Sequence, residues 1–251
     1  MTTPLRYALL LIIVGASALL AIEVHAQNRD ALRQIVQERC VPHWLQQGNA
    51  APCERVYLAG GAHETDGYAV LADAKGGAHF LLIPTSRIAG IESPDVLEPQ
   101  APNYFAAAWQ ARTRLAAVLG YAVRRDAVGL AVNSQQHRSQ DQLHIHIECL
   151  GAQVHQALQA VADRLSDRWT AINVARWQYQ GVRVMGEDLE PTNPFALLAE
   201  RMPGAKQDMG AYTLMVAGMQ FKDGAGFIVL AGKDVPGTEV LLDSTCAIAN
   251  H

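Results

Sequence analysis

Apolar and polar residues alternate without a break from Gln142 to Cys149: Leu143, Ile145, Ile147 and Cys149 share one parity, and Gln142, His144, His146 and Glu148 share the other. Side chains on a strand point to opposite faces in turn, so this run predicts a half-buried strand with an apolar face and a face bearing two imidazoles. At a rise of about 3.3 Å per residue the two histidines stand roughly 6.6 Å apart, an unusual use of a solvated surface.

The remaining pattern places elements around that strand. Leu32, Ile35 and Val36 recur at helical spacing among Arg29, Asp30, Arg33 and Glu38, which predicts an amphipathic helix running to Cys40 and ended by Pro42. Residues 50–66, with Gly60 and Gly61, read as loop, and 68–73 and 79–84 as strands joined by a turn at 74–77. After a polar, proline-containing connection, Asn103 caps a helix that runs through Leu119 and stops at Gly120. A short strand at 127–133 and a polar link at 134–141 lead into the central strand. Val154, Leu158, Val161 and Leu165 then predict a helix from 154 to about 170, followed by a strand at 178–184, a short helix at 194–201 and a hairpin at 212–217 and 226–231. The class is α+β, an antiparallel sheet flanked by helices. The last hairpin echoes the first, as a degenerate second half or as two unrelated hairpins of similar composition.

Composition narrows the function classes. With 251 residues, half of them apolar, the chain can bury a real core of one or two domains. A net charge of −4 gives no general pull toward polyanions, so nucleic acid is excluded as a partner and any phosphate recognition is local. Arg6, the uncharged run 7–22 and Val24-His25-Ala26 form a targeting segment over residues 1–26. It is a signal peptide cleaved after Ala26 or an uncleaved membrane anchor, and either sends residues 27–251 across a membrane as one domain. The cysteines Cys40, Cys53, Cys149 and Cys246 all follow it, so an oxidising compartment pairs them. Cys40 and Cys53 flank a short loop, which favours a local bridge and leaves Cys149 for Cys246. Without a C-x-x-C pair, and with Cys149 opposite in parity to the histidines, a thiolate metal site is not expected.

The segments His79-Phe80-Leu81-Leu82-Ile83-Pro84, Arg87-Ile88, Asn133 and Gln142-Leu143-His144-Ile145-His146-Ile147 resemble, in order and spacing, the histidine-triad superfamily over residues 68–150. That family comprises nucleotide hydrolases and transferases that work through a nucleotidyl-histidine. The resemblance implies that His144 is the nucleophile and His146 the third triad position, with Gln142 standing where the family has its first histidine and Asn133 where it has a site asparagine. Such chemistry needs donors aimed at phosphoryl oxygens, for which Gln142, His146, Ser139, Gln140 and Asn133 are candidates, while His79 either orients the site from the neighbouring strand or is a strand-end histidine satisfied by backbone. Arg138 adds a cation or is simply solvated. No metal and no other cofactor is implied. The rival chemistry is a metal bound by His144 and His146, which Glu148 cannot join directly, being about 13 Å from His144 along an extended strand.

A wider set of segments resembles the CDP-diacylglycerol pyrophosphatases, a histidine-triad family of bacterial envelopes. It comprises Cys40-Val41-Pro42, Glu92-Ser93-Pro94, Pro102-Asn103-Tyr104-Phe105, Ala108-Trp109-Gln110-Ala111-Arg112 and Pro194-Phe195. This resemblance implies CDP-diacylglycerol in the bilayer as substrate, CMP and phosphatidate as products, and a catalytic domain on the periplasmic side of the inner membrane, or free in the periplasm after cleavage at Ala26. Two other expectations stand beside it: an exported hydrolase of soluble nucleotide diphosphate derivatives, and a lipid- or nucleotide-binding protein that has lost turnover through Gln142. Oligomeric state is not indicated. Trp109 and Met202, Met209, Met215 and Met219 read as core, and His43, His63, His137, His155 and His251 as surface.

Overall fold

The computed structural model describes residues 28–59 and 66–250. The targeting segment, Gly60, Gly61, His63 and His251 lie outside the described residues, among which no helix is long and apolar enough to cross a membrane.

A single sheet organises the chain. Its strands are β1 Arg55–Leu58, β2 Gly67–Ala72, β3 Phe80–Pro84, β4 Val128–Val132, β5 Ile145–Leu150, β6 Thr170–Val174, β7 Trp177–Met185, β8 Tyr212–Phe221, β9 Gly224–Lys233 and β10 Leu242–Asp243. They lie in the order β1-β2-β3-β5-β4-β8-β9-β7-β6, and β10 pairs with the end of β5. Every pairing is antiparallel. The sub-orders β2-β3-β5-β4 and β6-β7-β9-β8 are the same, and the two sets meet where β4 pairs with β8. In position, the counterpart of the hairpin β2–β3 is therefore β6–β7, not β8–β9, the hairpin that echoes it in sequence.

Helices cover both faces. On one face, α3 Tyr104–Ala111, α4 Thr113–Leu119 and α6 Pro194–Arg201 pack Phe105, Trp109, Leu115, Phe195 and Leu198 against Leu82, Leu130, Ile145, Ile147, Val216 and Val229. Trp109 is core, with its ring edge-on to Phe227 and Arg112 and Arg125 against it. Asn103 starts α3 by accepting from the Ala106 amide at 3.1 Å, while its side-chain NH2 donates to the Leu189 and Thr192 carbonyls and ties the two halves together. Gly120 ends α4 in the left-handed region, at φ 77°.

On the opposite face, α5 Ala152–Val161 covers one part of the sheet through Val154, Leu158 and Val161. The N-terminal helices, α1 Ala31–Ile35, a π-helical turn at Val36–Cys40 and α2 Val41–Gln47, cover the other through Val36, Cys40 and Val41 on Leu81 and Ile83. Strand β5 emerges between these two covers: His146 lies opposite Leu81 of β3, under the N-terminal helices, and opposite Ala131 of β4, on the α5 side.

Three expectations need correction. Pro42 does not end the N-terminal helix, because it falls in the first turn of α2, where a missing N–H costs no helical bond, and the helix runs on to a Gly48 cap. The predicted loop at 50–66 contains β1, a short edge strand with Val56 inside and Arg55 and Tyr57 outside. The helix predicted to about 170 ends at Val161. Leu165 packs in the same cluster as Leu158, which imitated helical spacing, and β6 follows with period two. The disulfides are Cys40–Cys53 and Cys149–Cys246, as the spacing favoured.

Candidate active site

The strand at the centre starts at Ile145, so Gln142, Leu143 and His144 form an irregular approach to it. That approach is held at several points. The Leu143 amide donates to the Ile88 carbonyl, and the Gln142 side-chain NH2 donates to the Pro84 and Ser86 carbonyls at 3.0 and 2.9 Å. Gln142 thus staples the approach to the end of β3, and its carboxamide oxygen is buried without a partner.

Both faces of β5 are buried, against the half-buried expectation. Gln142, His144, His146 and Glu148 are all less than a tenth exposed, because β3, β4 and β10 flank the strand and residues 237–244 lie over the histidine face. Burial disfavours the imidazolium and moves the pKa of His144 below the ordinary 6.5. His146 moves well below it, through burial and then the neighbouring His144 and His79. Both rings are therefore neutral at pH 7.

His144 Nδ1 lies 2.8 Å from the backbone carbonyl oxygen of Gln142. A carbonyl only accepts, so this contact places the ring proton on Nδ1 and leaves Nε2 with its lone pair. The ring lines a narrow crevice with Asn133, Gln142, Gly90 and Arg138. The Asn133 side-chain oxygen is buried there without a partner, beside Gly237.

Arg138 is not a solvated loop residue. It is buried, with one guanidinium nitrogen 2.6 and 2.7 Å from the two oxygens of Glu92 and two others 3.1 and 3.0 Å from Asp141. Asp141 is also held by Arg29, and the two arginines keep its carboxyl well below the usual range. A side chain at Gly90 would run into the Arg138 guanidinium, which explains the glycine there.

His146 sits at a second cluster. Its Nδ1 is 2.9 Å from His79 Nε2, and that same His79 nitrogen is 3.1 Å from Glu148 Oε1. On the outer sides, His79 Nδ1 faces Asp73 at 3.7 Å and His146 Nε2 faces Glu239 at 3.3 Å. The last contact lacks hydrogen-bond geometry, and His146 Nε2 is unpartnered. Burial, reinforced by Asp73 and Glu239, raises the Glu148 pKa to about 7. A cavity of about 340 Å³ opens beside His79, Glu148 and Glu239.

Of the residues singled out in the sequence, His144, Gln142 and Asn133 come together at the crevice, and His146 with His79 lies beside them, its ring centroid 5.0 Å from that of His144. Ser139 is exposed, and Gln140 is occupied elsewhere, its amide bonded to Asn28 and Leu32 of the N-terminal segment. Glu148, Glu92 and Glu239 were missed as site residues. Glu148 was measured from His144, whereas two positions from His146 on the same face is the spacing that matters; Glu239 carries no local signal. His137 is exposed and His155 pairs with Asp126.

Known proteins match this chain over nearly its whole length. The family model for CDP-diacylglycerol pyrophosphatase matches residues 27–250. The CDP-diacylglycerol pyrophosphatase of Yersinia pestis is 39% identical over 255 residues, covering 98% of this chain and 95% of that protein.

Proposed function

The chain belongs to the CDP-diacylglycerol pyrophosphatase family, and we propose that it hydrolyses CDP-diacylglycerol to CMP and phosphatidate through a cytidylyl intermediate on Nε2 of His144. The observation that carries the mechanism is the contact of His144 Nδ1 with the Gln142 carbonyl, which leaves a neutral, fixed imidazole with its lone pair free. In the first step Nε2 bonds to the phosphorus of the cytidylyl group, and the bond from that phosphorus to the bridging oxygen breaks. Phosphatidate leaves with that oxygen. In the second step a water oxygen attacks the same phosphorus, the N–P bond breaks and CMP is released. One difficult displacement becomes two easier ones.

The neighbours have separable tasks. With its proton on Nδ1, shared with His79, His146 keeps a lone pair on Nε2 that takes the proton of the attacking water and passes one on toward His79 and Glu148. Asn133 offers its side-chain amide to the phosphoryl oxygens from the crevice wall. Gln142 is a positioning residue that holds the nucleophile through its carbonyl and its staple to residues 84–86. Arg138, neutralised by Glu92 and Asp141, shapes the crevice rather than lending it a free charge.

We read β6–β9 as a degenerate second histidine-triad half, a reading supported by its identical strand order. The counterpart of β5 is β9, Gly224–Lys233, which has no histidine, so one half is active. Two disulfides suit an oxidising compartment, and with the targeting segment they support a catalytic domain on the periplasmic side of the inner membrane, with its substrate in the bilayer. The test is His144→Ala, which abolishes CMP release while the protein still unfolds cooperatively; unchanged turnover would refute the mechanism.

A further inference from the structure

We propose that His79, His146 and Glu148 form a binding site for one transition-metal dication of the zinc class, and that its occupancy arrests hydrolysis at the second step. The donor atoms are already gathered. Two imidazole nitrogens and a carboxylate oxygen lie within 4.8 Å of one another, with His79 Nε2 at 2.9 Å from His146 Nδ1 and 3.1 Å from Glu148 Oε1. Tetrahedral bonds of about 2.0–2.1 Å put zinc donors roughly 3.3 Å apart, so small movements of these side chains seat the ion.

Proton accounting points the same way. His79 Nε2 faces two partners and carries at most one hydrogen, so no single protonation pattern uses all these contacts fully. An ion at their centre satisfies the three donors together. Two nitrogens and one carboxylate suit a borderline ion such as zinc, whereas magnesium and calcium favour all-oxygen sets.

The surroundings are those of a supported site. The outer nitrogen of each histidine has a carboxylate on its side, Asp73 at 3.7 Å from His79 Nδ1 and Glu239 at 3.3 Å from His146 Nε2, the side from which carboxylates orient metal-bound imidazoles once hydrogen-bonded to them. The cavity beside the cluster carries Glu148, Glu239 and Asp243 against the single cation Lys75. Its charge favours a cation over a diphosphate, and its room admits a water as fourth ligand. The nucleophile stays outside the site: His144 is fixed by Gln142 and lines the separate crevice.

Occupancy changes the chemistry of His146 in a defined way. Coordination through Nδ1 moves the ring proton to Nε2, on the side of Glu239. His146 then has no lone pair for the water of the second step, while attack by His144 is untouched. The arrest rests on the hydrolytic reading; the binding does not.

The experiment uses the full chain in detergent, stripped with a chelator and then freed of it. Zinc is titrated calorimetrically, and cobalt(II) is added to a separate sample as a visible-absorbance probe. The expected result is one equivalent bound, with a four-coordinate cobalt spectrum, and at least a tenfold loss of affinity in His79→Ala and Glu148→Gln. No specific band at one equivalent in the unsubstituted protein overturns the proposal even where a variant fails to fold, and affinity unchanged in folded variants overturns it too. With zinc saturating, each enzyme releases one phosphatidate and then stops. Continued turnover with zinc bound overturns the arrest, whereas metal-free protein that never releases CMP overturns the hydrolytic reading instead.

Discussion

His79 and His146, 67 positions apart in sequence, bring Nε2 and Nδ1 to 2.9 Å of each other on the buried histidine face of β5. The pair links the ring beside His144 to Glu148, and in the proposed mechanism the two chemical steps fall to different groups.

His79→Ala breaks that link without touching His144. Phosphatidate is still released in a stoichiometric burst, but steady-state CMP release falls roughly 10²-fold, the usual scale for losing general acid–base assistance. Rapid-quench measurement of both products checks this. An equal fall in burst and steady-state rates would contradict the assignment.

The two steps also differ in pH dependence. The nucleophile must be neutral, and burial lowers the His144 pKa, so the neutral form persists below pH 6.5 and the acid limb of kcat/KM lies below that value. The proton leaving the attacking water needs an ionised Glu148, whose pKa is raised to about 7, so release of CMP from the intermediate rises as pH increases through about 7. Single-turnover profiles separate the two, and Glu148→Gln removes the second limb.

Gly90 is required by Arg138. Gly90→Ala places a methyl group where the guanidinium lies, displacing it from Glu92 and widening the wall of the crevice. We expect kcat/KM to fall roughly tenfold or more, since small misplacements in a positioned site cost up to about 10²-fold. Steady-state kinetics at several substrate concentrations, with a melting curve to establish folding, measures it.

The disulfides stabilise unequally. Cys149–Cys246 spans 97 residues and ties β5 to the segment after β10, whereas Cys40–Cys53 spans 13. In the chain-entropy account the long loop contributes about 4.7 kcal/mol and the short one about 3 kcal/mol. Replacing both cysteines of each pair by alanine, one pair at a time, is expected to lower Tm more for Cys149 and Cys246; the reverse order would show that strain or packing outweighs the loop.

Much of this architecture was legible because the signals are local. Asn103 and Gly120 bracket their helical stretch, alternation marks β5, and the short loop between Cys40 and Cys53 indicates their bridge. Non-local signals were harder to read. The strand order and the burial of the histidine face follow from β10 and residues 237–244, far along the chain. β6 was hidden because Leu165 extends the helical spacing of α5, and β1 because four residues at an edge carry little pattern. At the site, His144 and Gln142 were visible from their strand, whereas Glu239 reaches His146 only through the fold, and the ion pairs that hold Arg138 depend on a loop meeting β5's approach.

The covalent step is the claim on which the account depends. Substrate labelled in the cytidylyl phosphate is mixed with excess enzyme, quenched under conditions that preserve phosphoramidates, and the protein is digested and mapped. The account predicts label on the peptide containing His144, transient in the wild type, longer-lived in His79→Ala and missing from His144→Ala. Turnover with no protein-bound label at any time, or label on another residue, would contradict it.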